Sequence, residues 1–142
     1  FGVEPVIALL SYNNFGSSPF PEAKKVSQAV EYLHRMHPDL IVDGPVQSDF
    51  ALNNKMLEER FPFSIFNKRR VNTLIFPNLD AANITYKIIK ELDNTLSIGP
   101  ILMGLKHPAH ILQLGASVDE IVNMSAIAVI DAQEKQKIKY SK

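Results

Sequence analysis

Cysteine is absent from the 142-residue sequence. Disulfide frameworks, Cys-ligated zinc and a Cys nucleophile are excluded with it, and a reducing, cytoplasmic setting is the compatible expectation. A surplus of one charge is also missing, since 15 Lys and Arg meet 15 Asp and Glu. Without a net field, nothing steers the chain onto nucleic acid or an anionic membrane, so neither is expected as a partner. No apolar run reaches the roughly 18–20 residues of a membrane span. Internal repeats and low-complexity tracts are lacking too. What is present is apolar: 46% of residues are hydrophobic, too many for a disordered segment. The sequence opens Phe1-Gly2-Val3-Glu4-Pro5 and runs directly into a hydrophobic stretch, which reads as a piece of a longer chain.

Short apolar runs alternate with amphipathic stretches. Val6-Ile7-Ala8-Leu9-Leu10 reads as a buried strand, followed by a polar loop over Ser11–Ser18. Pro19 and Pro21 lead into a helix in which Ala23, Val26, Val30 and Leu33 form one stripe, stopped by Pro38. Leu40-Ile41-Val42 reads as a second strand ended by Asp43-Gly44-Pro45, with one short helix over Asp49–Glu59 and a packed aromatic loop at Phe61–Phe66. A basic turn, Asn67–Arg70, precedes a third strand, Thr73–Phe76. Asp80 is the expected N-cap of a helix lined by Ala81, Ile84, Ile88 and Leu92. Ile98–Met103 is a fourth apolar run, broken by Gly99 and Pro100, and Ala109–Leu112 reads as a fifth strand. Ser117 and Glu120 match a capping box, opening a helix from Val118 to about Lys137 that is apolar nearly all round as far as Ile130, and so buried on most sides. Residues 134–142 form a charged tail expected to fray.

Apolar, non-alternating strands separated by helices predict an α/β fold, three-layer α/β/α around a mostly parallel sheet, as a single domain over residues 1–142. Ligands of such sheets lie beyond the carboxyl ends of the strands, where three polar loops emerge: Ser11–Ser18, Asp43–Asp49 and Pro77–Asn83. The first could hold an anion on its N–H groups and Ser hydroxyls, or be an ordinary capped loop. It lacks the spacing of a Walker loop and of a dinucleotide fingerprint. His34 and His37 lie at a solvated helix end. His107 and His110 flank Pro108 and cannot share a helix face, so no metal site is expected. There is no Gly-x-Ser-x-Gly elbow, and Asp119 and Glu120 complement a helix dipole.

Several segments together resemble phosphate acetyltransferases. Ile75-Phe76-Pro77-Asn78-Leu79-Asp80-Ala81-Ala82-Asn83-Ile84 with Tyr86-Lys87 is similar to that family's Phe-Pro-Asp/Asn-Leu signature, and Ile98-Gly99-Pro100-Ile101-Leu102-Met103-Gly104 to its Ile-Gly-Pro-Ile-Leu-x-Gly block. Leu10-Ser11-Tyr12 with Gly16-Ser17, and Asp43-Gly44 with Gln47, Asp49 and Ala51-Leu52, resemble its first two strand-loops. The family carries a Ser-Arg pair before the Gly that precedes the last helix, the Ser implicated in handling the coenzyme A thiol and the Arg in binding phosphate. Here Gln113 and Leu114 stand before Gly115. Leu offers phosphate neither charge nor donor, and Gln is no base. The family's acid matches Glu120 rather than Asp119.

This altered pattern, with Asn13-Phe15-Gly16-Ser17-Ser18, Phe61-Pro62-Phe63-Ser64, His110-Ile111-Leu112-Gln113 and Val122-Asn123-Met124, resembles the C-terminal regions of large bacterial NADP-dependent malic enzymes. That resemblance implies a phosphate acetyltransferase-like lobe without catalytic residues, whose degenerate corner is Gln113, Leu114 and Glu120. It implies a regulatory domain that senses acetyl-CoA, holds no cofactor of its own and partners upstream malic enzyme domains that carry NADP and a divalent metal, within a homo-oligomer. Candidate ligand contacts are Ser11, Asn13, Ser17, Ser18, Asn78, Asn83, Gln113 and Glu120. The alternatives are an active phosphate acetyltransferase moving acetyl between CoA and phosphate, and an oligomerisation module using Val118–Ile130 and Phe61–Phe66.

Overall fold

Five consecutive apolar residues, Val6–Leu10, form the central strand β1. A computed structural model describes residues 2–92 and 97–140. In it β1 lies parallel to β2 (Ile41–Val46) on one side and to β3 (Thr73–Ile75) on the other, giving the order β2-β1-β3. Successive side chains of a strand point to opposite faces. Because both faces of β1 are apolar, both are covered. Val6, Ala8 and Leu10 pack with Ala51, Leu57 and Phe66. Leu9 packs with Val26, Val30 and Val42. Val26 and Val30 belong to α1 (Pro21–Met36), where they and Ala23 recur at helical spacing. Ala51 comes from α2 (Ser48–Leu52) and Leu57 from α3 (Asn54–Arg60). Helices therefore cover a parallel sheet on both faces, as the run of apolar strand residues implies.

Several boundaries differ from the sequence expectation, each for a local reason. β2 continues through Asp43-Gly44-Pro45 to Val46. Gly44 permits this by adopting φ +144° where a Cβ would lie 2.5 Å from the Leu9 carbonyl oxygen, at the point where the β1–β2 register shifts between Ala8 and Leu10. The single helix expected over Asp49–Glu59 is two. Asn53 is extended at φ −123°, and its side chain accepts the Met56 N–H at 3.2 Å, capping α3 rather than continuing α2. His34 is not merely solvated, since its Nε2 lies 2.7 Å from the Val42 carbonyl oxygen. The cap of α4 (Leu79–Leu92) is Asn78, whose Oδ1 accepts the Ala81 N–H at 2.9 Å, and Asp80 sits inside the first turn.

The chain divides into two compact units, Phe1–Tyr86 and Lys87–Lys142. The sheet lies in the first. In the second, Ile98–Met103 and Ala109–Leu112 do not form the fourth and fifth strands. A strand exists only beside a partner that takes its hydrogen bonds, and no such partner is present among the described residues. Helix α5 (Val118–Tyr140) starts at the expected capping box and continues through the stretch expected to fray. Lys135 meets Asp131 at 2.7 Å and Lys137 meets Glu134 at 2.6 Å along that stretch. The helix is not buried on most sides. Among the described residues Met124 is its one buried hydrophobic, whereas Val118 is 76% and Val122 60% exposed. No helix among the described residues is long and apolar enough to cross a membrane.

Candidate functional site

In the first unit, the loop leaving β1 is fastened along the end of β2. Ser11 N donates to the Val46 carbonyl at 3.0 Å and Phe15 N to the Pro45 carbonyl at 2.6 Å. Asn14 and Gln47 then clasp each other. Asn14 Nδ2 donates to Gln47 Oε1 at 2.7 Å, Gln47 N donates to Asn14 Oδ1 at 2.8 Å, and Gln47 Nε2 reaches the Tyr12 carbonyl at 2.7 Å. The hydroxyls of this loop bond within the loop itself. Ser11 Oγ donates to Asn13 Oδ1 at 2.6 Å, Ser17 Oγ accepts from Asn14 N at 3.3 Å, and Ser18 Oγ lies 2.9 Å from Tyr12 Oη. Asn13 is only 5% exposed, and its Nδ2 has no hydrogen-bond partner among the described residues. Such a donor costs about 1–3 kcal/mol when left unpaired, so it marks a place where an acceptor would be stabilising.

Aromatic packing stiffens the same end of the sheet. Phe15 holds φ +44°, unusual for a non-glycine residue, and its ring meets Phe61 at 4.9 Å and Phe63 at 5.1 Å. Phe50 of α2 packs edge-on against Phe61 at 5.1 Å. The Asp43 carboxylate ties this loop to β2 by accepting from Ser64 Oγ at 3.1 Å and Ile65 N at 3.3 Å. Asn78 serves as a helix cap, and Asn83 is exposed in the second turn of α4 rather than capping it.

The second unit contains a cavity of about 50 Å³ whose wall includes Lys90, Leu112, Gln113, Leu114, Glu120 and Met124. The residues of the altered corner thus share one hollow. Glu120 is fully engaged. It accepts from Lys90 Nζ at 2.7 Å and from the Ser117 N–H at 2.8 Å, while its own N–H donates to Ser117 Oγ at 3.2 Å. The Lys90 hydrogen bond, then the Ser117 N–H, bring its carboxyl down to about 2. At neutral pH it is a carboxylate that holds a lysine, and a very weak base. Gln113 Oε1 accepts from Lys87 Nζ at 3.2 Å. Leu114 is fully exposed at the rim. A phosphate in this hollow would find no cation at position 114, and a thiol would find no base at position 113.

The predicted residues therefore fall into two groups. Ser11, Asn13, Ser17, Ser18, Asn78 and Asn83 lie in the first unit, and Gln113, Leu114 and Glu120 meet in the second. Sequence reasoning did not single out Asn14, whose clasp with Gln47 spans 33 positions, nor Lys90, which binds Glu120 across 30. One usable signal for Lys90 was its spacing of three from Lys87, which places both on one helical face.

Comparison with known proteins accords with this geometry. Residues 1–129 match the family described as Phosphate acetyl/butaryl transferase. The chain is 42% identical over 134 residues to the NADP-dependent malic enzyme of Escherichia coli (strain K12), covering 94% of this chain and 18% of that protein. It is 37% identical over 139 residues to the phosphate acetyltransferase of Acinetobacter baylyi, covering 98% of this chain and 19% of that one. Among solved structures it superposes on the EutD phosphotransacetylase from Staphylococcus aureus with a TM-score of 0.83 at 32% identity, covering 92% of this chain and 41% of that one. On a phosphotransacetylase from Streptococcus pyogenes the TM-score is 0.84 at 36% identity, over 93% and 40% respectively. The chain spans less than a fifth of the curated relatives it matches. From residue 1 to residue 129, it belongs to the phosphate acetyl/butaryl transferase family.

Proposed function

We propose that this chain is the phosphotransacetylase-like regulatory part of an NADP-dependent malic enzyme, and that it binds acetyl-CoA without transferring the acetyl group. The observation that carries this reading is the hollow around Gln113 and Leu114, where Glu120 is already committed to Lys90 and the Ser117 N–H. Transfer to phosphate needs a base for the thiol and a cation for the phosphate. The three positions supply an amide, an isobutyl group and a carboxylate held near pKa 2.

Binding makes weaker demands. The hollow, walled by Leu112, Leu114 and Met124 beside the amide of Gln113, suits a small acyl tip. An effector regulates only by binding one global state better than another. The malate, NADP and divalent-metal chemistry of such an enzyme is assigned to upstream domains, and the protein is expected to be a cytoplasmic homo-oligomer. The 42% identity to a malic enzyme favours this parentage over a free-standing transferase.

Isothermal titration of the full-length enzyme with acetyl-CoA, run alongside malate turnover, tests the proposal. Saturable binding with a change in turnover is expected. Absence of binding, or binding that leaves turnover untouched, would overturn it. Acetyl-phosphate formation by the unaltered protein would restore the transferase reading, and Gln113→Ser with Leu114→Arg is the variant pair expected to move the protein toward that activity.

A further inference from the structure

The basic turn Asn67–Arg70 belongs to neither group of site residues described above. It ends the segment Phe61–Arg70, which joins α3 to β3. That segment is fixed from within. Phe66 is fully buried in the cluster that contains Val6, Ala8 and Leu10, and Ser64 is buried with it. Three turn bonds coil the backbone: Ser64 N donates to the Phe61 carbonyl, Asn67 N to the Ser64 carbonyl and Arg69 N to the Phe66 carbonyl. Asn54 Nδ2 holds the far end by donating to the Arg69 carbonyl at 2.6 Å. Asn67 Nδ2 donates to the Phe61 and Pro62 carbonyls at 3.2 and 2.7 Å, which brings the basic turn back to the backbone that carries Phe63.

This coil shows water one aromatic ring and three cations. Phe63 is 69% exposed, although its ring meets Phe15 at 5.1 Å and Phe61 at 6.0 Å, edge-on to both. Lys68, Arg69 and Arg70 are all exposed. Arg69 Nη1 donates to the Ile65 carbonyl at 2.8 Å, which orients the guanidinium while using one of its five donors. Lys68 and Arg70 form no ion pair among the described residues, and neither do Glu58 and Glu59 on α3. Lys68 also holds φ +68°, an angle that Gly or Asn adopts more readily, so a cation stands where the backbone alone favours another residue.

Consecutive Cα atoms lie about 3.8 Å apart, so the three cations spring from a stretch of about 8 Å. That length suits one phosphoryl group or a diphosphate, whereas a row of peptide carboxylates calls for cations spread along a longer face. The neutral balance of the whole chain argues against a polymeric anion. An exposed ring beside the cations offers a flat apolar surface on which a base stacks. We infer that Phe63, Lys68, Arg69 and Arg70 form a binding site for a phosphorylated nucleoside, with the base on Phe63 and the phosphoryl oxygens on the cations. A loop already held in one conformation loses little freedom on binding. These residues lie in the first unit and share none with the hollow around Gln113, so the inference stands or falls without the acyl-CoA reading.

Amide-resolved NMR of the 142-residue chain, titrated with ADP and with inorganic pyrophosphate, tests it. ADP is expected to shift amides of 61–70 and to saturate below about 1 mM. Lys68→Gln combined with Arg70→Gln is expected to weaken both ligands at least about tenfold. Phe63→Leu is expected to weaken ADP at least about fivefold and to leave pyrophosphate unchanged. The altered side chains are exposed, and the same spectra report that each variant is folded. Acetyl-CoA that displaces ADP from these amides would identify the phosphorylated end of coenzyme A as the source, and failure to displace it would identify a free nucleotide. Shifts that never saturate or that fall outside 61–70 overturn the inference, as does a folded double variant that binds ADP as tightly as the unaltered chain.

Discussion

Gly44→Ala separates two effects that usually travel together. Gly44 sits at φ +144°, and a Cβ there would lie 2.5 Å from the Leu9 carbonyl oxygen and 3.2 Å from the Leu9 Cβ. Both obstacles belong to β1 itself and cannot swing aside. The unusual backbone angle costs about 1–3 kcal/mol for a residue with a side chain. Forcing β2 away from β1 adds about 1–3 kcal/mol of overpacking. The sum is about 2–6 kcal/mol. Gly16→Ala is the control, because Gly16 also has positive φ, at +80°, but nothing lies within 4 Å of its would-be Cβ. Its cost is the left-handed penalty alone, about 1–2 kcal/mol. With a urea slope of about 2 kcal/mol per M, the midpoint falls by about 1–3 M for Gly44→Ala and by about 0.5–1 M for Gly16→Ala. The assay is equilibrium urea unfolding followed by far-UV circular dichroism. If Gly44→Ala costs no more than Gly16→Ala, the close approach of β2 to β1 is not what excludes a side chain at position 44.

Three further outcomes follow from named contacts. A carboxyl-detected NMR titration is expected to find Glu120 half-protonated near pH 2 rather than near its usual 4.5. Because its pKa is depressed on folding, its stabilising contribution is complete above about 4.5 and is lost as pH falls through about 2; an ordinary midpoint would mean the Lys90 contact does not persist. Asn14→Ala, Gln47→Ala and the double variant form a thermodynamic cycle, and the reciprocal amide clasp predicts a coupling of about 0.5–3 kcal/mol, with strict additivity counting against it. Asn53→Ala is expected to lose about 1 kcal/mol by removing the cap of α3, with Asn53→Asp close to neutral; equal losses in thermal melts would exclude capping as its role.

What could be read in the sequence was what depends on neighbours in sequence. The capping box at Ser117 and Glu120 closes within three residues, and it forms in full. The alternating coverage of β1 was implied because five apolar residues in a row leave neither face for water. Competing local signals were harder to rank. Asn78 and Asp80 are two positions apart and chemically similar, and only the backbone decides which of them caps α4. Asn53 lies in a stretch of helical composition, and its cap bond outweighs helix continuation. At the site, the replacement at Gln113 and Leu114 was visible only against a family pattern. Lys90 was not visible, because its partner lies 30 positions away.

Ile98–Met103 and Ala109–Leu112 show a different limit. Their apolar character was read as that of buried strands, which the structure does not form; a pattern states what a segment needs and not whether the need is met. A helix closes its hydrogen bonds within itself, so α5 forms whether or not its apolar sides are covered. A strand must borrow half of its hydrogen bonds from another segment. The same chain can therefore complete every helix its sequence encodes and still leave two strands unformed. In the second unit the helix stands with its hydrophobic sides open, and the runs that should flank it remain irregular. That difference between local and borrowed hydrogen bonds explains why the expectation failed at the strands while the adjoining capping box held.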